Sequence, residues 1–95
     1  VKSKGKSAER AVLITTEYKG VFFGYATETD GDVIHLRAAR LCIYWAANIR
    51  GFMGLASHGP SKECRIGPRV DIEVRKITSV VEVTDAAKAR WEEMP

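Results

Sequence analysis

The stretch from Arg37 to Pro60, RAARLCIYWAANIRGFMGLASHGP, limits the fold more than any other part of the chain. It opens as a strand and passes through Tyr44 and Trp45 into a helix expected from Trp45 or Ala46 to about Ser57. Gly59 supplies the left-handed stop and Pro60 blocks continuation. At about 100° per residue, Trp45, Ile49, Phe52, Met53 and Ala56 fall on one stripe, which is a core face. Ala47, Gly51 and Gly54 fall roughly opposite, where the helix is nearly bare backbone. Two glycines inside a helix cost roughly 1 kcal/mol each relative to alanine. A close packing contact would offset that cost, and the expectation is a contact between subunits through Ala47, Gly51 and Gly54.

The flanking segments are strands. AVLITT (11–16) is apolar and β-branched, and VFFGYAT (21–27) follows a turn glycine, Gly20. Gly24 inside the second strand predicts a bulge or a close approach by another backbone. A turn at Glu28–Asp32, with its Asp-Gly step, leads into VIHL, so the first three strands form a meander. After a loop at Ser61–Arg69, Val70, Ile72 and Val74 alternate with Asp71, Glu73 and Arg75, the pattern of a half-exposed strand. Ile77–Val83 is a last strand, with Lys76 as a bend before it. Thr84 or Asp85 caps a short helix in which Ala87 and Trp91 share a face. These elements give an α+β domain over residues 11–95: a small twisted, mostly antiparallel sheet or partial barrel of about five strands, one central helix and a short C-terminal helix.

Charge is unevenly placed. Lys2, Lys4, Lys6 and Arg10 make residues 1–10 a flexible basic arm without apolar periodicity. The remainder is neutral, with 11 basic and 11 acidic residues. Within it, residues 35–76 hold eight bases against three acids. That block either binds an anion or pairs with acids of the flanking segments. No apolar run has the length of a transmembrane helix and no signal-peptide pattern is present, so the expected location is the cytoplasm.

Motifs for chemistry are missing. There is no phosphate loop, no HExxH and no GxSxG. Cys42 and Cys64 form no CxxC and read as buried thiols. With His35 and His58 they fit no zinc-module spacing. Asp30 and Asp32 lie in a turn, where aspartates serve backbone hydrogen bonding. The chain is therefore read as a non-enzyme without metal or cofactor. What remains is a cluster of Arg37, Arg40, Tyr44, Asn48 and Arg50, with Trp45 assigned to the core. Guanidinium forks for anions beside aromatic faces suit a nucleotide-like ligand.

From about Tyr18 to Arg90 the chain resembles a family of small phage proteins of unknown function. The resemblance rests on VFFGY (21–25), ARLCIYWAAN (39–48), GLASHG (54–59) and ITSVVEVTDAA (77–87). It brings no catalytic motif and implies a phage or prophage origin. The expected function is then a homo-oligomeric accessory protein that sequesters a nucleotide-like signal of host defence, in the cytoplasm of the infected bacterial host. The alternative is a virion structural protein, capsid- or tail-associated. Nucleic-acid binding through the basic arm ranks third.

Overall fold

The computed structural model describes residues 9–17, 20–49 and 51–95, so the basic arm up to residue 8 and Arg50 lie outside the described residues. The elements are β1 (Arg10–Thr16), β2 (Val21–Ala26), β3 (Val33–Tyr44), a 3-10 turn (Ala47–Ile49), α1 (Gly51–Ser57), β4 (Arg65–Ile66), β5 (Val70–Arg75), β6 (Ile77–Glu82) and α2 (Asp85–Glu93). The strands form one open sheet in the order β4-β3-β2-β1-β6, with β5 also paired to β3. All pairings are antiparallel. This is the expected α+β architecture. The sixth strand is the two-residue β4, and Arg10 is already part of β1 rather than of an arm.

Each face of the sheet buries its own apolar cluster. On one face Leu13, Val21, Phe23 and Cys42 meet Ile49, Leu55, Cys64 and Trp91 from the helices and loops. On the other, Val12 and Ile14 meet Ile34, Leu36, Ala39 and Val74. β1 lies between the two clusters, so Val12, Leu13 and Ile14 are all fully buried. That explains why its sequence is uniformly apolar rather than alternating.

The segment expected as one helix is two pieces. Gly51 has φ +84°, in the left-handed region, and separates the 3-10 turn from α1. The break resets the helical phase. Ile49 and Ala56 are buried as their stripe requires, but Met53 is 67% exposed and Leu55 takes its place inside. The small residues do not share a face. Ala47 is exposed in the 3-10 turn. A side chain on Gly51 would meet nothing within 4 Å, so this glycine serves the backbone turn. Gly54 is buried, and a Cβ there would overlap the Ile49 carbonyl oxygen. A close approach at Gly54 is thus made within the chain, to the Ile49 carbonyl.

α2 closes the helical face as its sequence predicts. Thr84 is its N-cap and accepts from the Ala87 amide at 3.1 Å. Ala87 and Trp91 are both fully buried. The Trp91 ring stacks on Phe23 at 4.9 Å, and its indole donates to the Leu55 carbonyl at 3.1 Å, tying α2 to both β2 and α1. Gly59, φ +87°, ends α1; a side chain there would lie 2.8 Å from the Arg90 Cβ and 3.1 Å from the Ala87 Cα. Here glycine serves both the left-handed stop and a tight approach between α1 and α2.

Candidate functional site

Arg37 and Arg40 are three residues apart on β3, and a regular strand would send them to opposite faces. The backbone at Ala38 changes that. Ala38 has φ +53°. The register of β3 slips by one residue there, against β2 and against β5. Such a bulge reverses the side-chain alternation beyond it. Tyr25 therefore pairs with Arg37 and Phe23 with Arg40. Both arginines end on the helix-facing side. The Asp71 carboxylate accepts from the Ala38 amide at 3.0 Å and holds the bulge. Gly24 lies opposite, and a side chain there would come within 3.1 Å of the Leu36 Cβ and 3.3 Å of the Ala39 Cα. The sequence expectation of a bulge or close approach at Gly24 is what is found.

On this face, between the sheet and α2, lies a cleft of about 750 Å³. Tyr25, Arg37, Arg40, Arg69, Lys88 and Glu92 line it, with Glu9 and Arg10 at its side. The Arg37 guanidinium lies 4.9 Å from the centre of the Tyr25 ring, and the Lys88 ammonium 5.7 Å from it. These are cation–π distances. Arg37 Nε and Nη2 each donate to one oxygen of the Glu9 carboxylate, both at 2.8 Å. The hydrogen bond from Arg37 holds the Glu9 carboxyl below its ordinary pKa and raises that of Arg37. The Tyr25 hydroxyl donates to the Glu92 carboxylate. Burial first, and then that carboxylate, push the phenol up to about 12. Arg69 donates to the Glu92 carbonyl at 2.7 Å. Arg10 donates to Thr29 at 2.6 Å and pairs with Glu82.

Arg40 differs from Arg37. It is 2% exposed. It donates to four carbonyls: Gly67 at 2.8 Å, Trp91 at 3.1 Å, Met94 at 2.7 Å and Pro95 at 2.7 Å. Burial, and then the neighbouring Arg69 charge, lower its pKa. A cation gathering the carbonyls at the C-terminal end of α2 complements the helix dipole. Four of its five N–H donors are used within the fold, and Arg40 lines the cleft from a buried position.

The structure therefore divides the expected ligand set. Arg37 and Arg40 share the cleft. Tyr44 is 53% exposed at the far end of β3, opposite Arg65, and Asn48 is exposed in the 3-10 turn. Neither lines the cleft. Arg50 lies outside the described residues. Tyr25, Arg69, Lys88 and Glu92 were not singled out from the sequence. Tyr25 and Glu92 are 67 positions apart, and no local pattern links them. The one available signal was the i, i+4 spacing of Lys88 and Glu92 on the polar side of α2.

Cys42 and Cys64 are buried free thiols in the helix-side core, as expected for their spacing. Burial, with Cys64 close by, pushes the Cys42 thiol up to about 12. Among the described residues no three His, Cys, Asp or Glu side chains converge on a metal position. Among the same residues no helix is long and apolar enough to cross a membrane. What the cleft offers chemically is a guanidinium fork beside an aromatic ring, set among the cations Arg69 and Lys88 and the carboxylates Glu9, Glu82, Asp85 and Glu92. No curated protein and no solved structure matches the chain. Residues 9–91 match the model of a domain of unknown function, DUF6948, and the chain belongs to that family.

Proposed function

We propose that the chain is a non-catalytic, homo-oligomeric binding module that holds an anionic, nucleotide-like ligand in the cleft. The observation that carries this reading is Arg37. Its guanidinium carbon lies 4.9 Å from the centre of the Tyr25 ring while its donor edge grips a carboxylate. An arginine fixed in this way shows that its fork holds an oxyanion through two donors, here the Glu9 carboxylate, and a guanidinium has a flat face on which a planar ring can stack. Arg69 and Lys88 add positive charge at the same opening. The sequence resemblance to small phage proteins supports a phage accessory role in the infected host, with sequestration of a host-defence signal as the activity.

Native mass spectrometry of the protein, gently desolvated, tests the reading. The expected result is a defined oligomer carrying extra mass of nucleotide size, lost on denaturation and absent from Arg37→Ala. A bare monomer, or a variant that keeps the extra mass, refutes it. The alternative, a virion structural protein, is favoured by a different observation: Ile43 is 62%, Met53 67% and Tyr44 53% exposed. Exposed apolar side chains of this size suit contact with another protein. High copy number in purified particles would decide for that reading.

A further inference from the structure

We infer that Glu9 is a built-in occupant of the Arg37 fork, and that the cleft admits a phosphate-bearing ligand by exchanging this carboxylate for the ligand's phosphate. The inference rests on the binding reading above and concerns how the same site is regulated and what it selects.

The geometry is that of a bound ligand. The two oxygens of Glu9 receive parallel donors from Nε and Nη2 of Arg37 at equal distances of 2.8 Å. This is the arrangement by which an arginine holds a free carboxylate or phosphate. Arg37 is the partner that holds the Glu9 carboxylate among the described residues. Glu9 precedes β1, whose first residue, Arg10, is fixed independently by Glu82 and Thr29. Its side chain can leave the fork without disturbing the strand.

The grip is also weak enough to yield. The Arg37 and Glu9 side chains are 58% and 33% exposed, so water screens the pair. The Asp71 carboxylate lies near enough to oppose the charge on Glu9. Because Glu9 is tethered, an incoming anion competes with an intramolecular group at an effective concentration of the order of millimolar or more. A monocarboxylate offers Arg37 nothing that Glu9 lacks. A phosphate carries about twice the charge at neutral pH and a third acceptor oxygen. Arg69 and Lys88 line the same cleft, and their charge favours the more highly charged anion. The fork therefore excludes ordinary carboxylates and yields to phosphate.

The test follows the Arg37 Nε–H resonance by nuclear magnetic resonance. Inorganic phosphate and, separately, acetate are titrated into the wild-type chain and into Glu9→Gln. Unchanged backbone amide spectra establish that the variant folds. If Glu9 occupies the fork about nine-tenths of the time, removing its charge tightens phosphate binding about tenfold. Acetate, which leaves Arg37 unmoved in the wild type, then shifts it in the variant. Equal phosphate affinity in the two proteins, with Arg37 shifting in both, overturns the inference and leaves the cleft reading intact. No response of Arg37 to phosphate in either protein removes the cleft reading and this inference together.

Discussion

Arg40→Ala tests the assignment of Arg40 to the fold. The substitution leaves four carbonyl oxygens without their donor. Those of Met94 and Pro95 are only partly buried in their bonds to Arg40, and water can replace the guanidinium there. Those of Gly67 and Trp91 are buried. A hydrogen bond from a charged donor contributes about 1.5–3 kcal/mol, so the two buried ones amount to roughly 3–6 kcal/mol. These contributions are already net of desolvation, and water entering the vacated site brings the loss toward the lower end. A net loss of about 3 kcal/mol is expected, which in a domain of this size lowers Tm by roughly 12–24 °C. Urea unfolding followed by tryptophan fluorescence measures it, since Trp91 lies in the affected core. Arg40→Lys should recover only part of the loss, because one ammonium cannot reach carbonyls spread around a planar fork. Arg37→Ala, at an exposed pair, should leave the midpoint where it is. An Arg40→Ala protein within about 1 kcal/mol of wild type would refute the assignment of Arg40 to the fold.

Two further outcomes concern Gly54 and Tyr25. Gly54→Ala drives a methyl into the Ile49 carbonyl and should lose about 2 kcal/mol or more through forced repacking, whereas Gly51→Ala meets open space and loses only the roughly 1–2 kcal/mol of a left-handed alanine; a neutral Gly54→Ala in urea unfolding would show that the contact is not made. Tyr25 has a folded pKa of about 12 against an ordinary 10.0, so the folded state favours the neutral phenol. Its contribution to stability is therefore complete below pH 10 and is lost as pH rises toward 12. Tyr25→Phe should remove that part of the alkaline decline in stability, and a phenolate absorbance titration of the wild type should show Tyr25 ionising late.

Much of the fold is legible in local pattern. β-branched runs and alternation give the strands, Lys76 marks the bend between β5 and β6 with φ +57°, and Thr84 caps α2. Ala87 and Trp91 share a buried face because 3.6-residue periodicity is a property of the chain itself. Gly59-Pro60 stops α1 for the same kind of reason: φ restrictions act on single residues. The helix break at Gly51 escapes this reasoning. A glycine is compatible both with a bare helix face and with a left-handed turn, and only the packing of Ile49 against Gly54 selects the turn.

The site depended still more on the folded chain. The sequence determined that Arg37 and Arg40 share one strand-to-helix segment with aromatic residues, and that no familiar catalytic motif accompanies them. It could not determine which arginine is held by backbone oxygens and which by a carboxylate. That was decided by the bulge at Ala38, which brings Arg37 and Arg40 to one face, and by the end of α2, whose carbonyls occupy Arg40 and leave Arg37 to Glu9. Periodicity is set by neighbours along the chain, whereas burial and hydrogen-bond partnership here join residues 28 to 55 positions apart. Only the tertiary structure brings such groups within reach of one another.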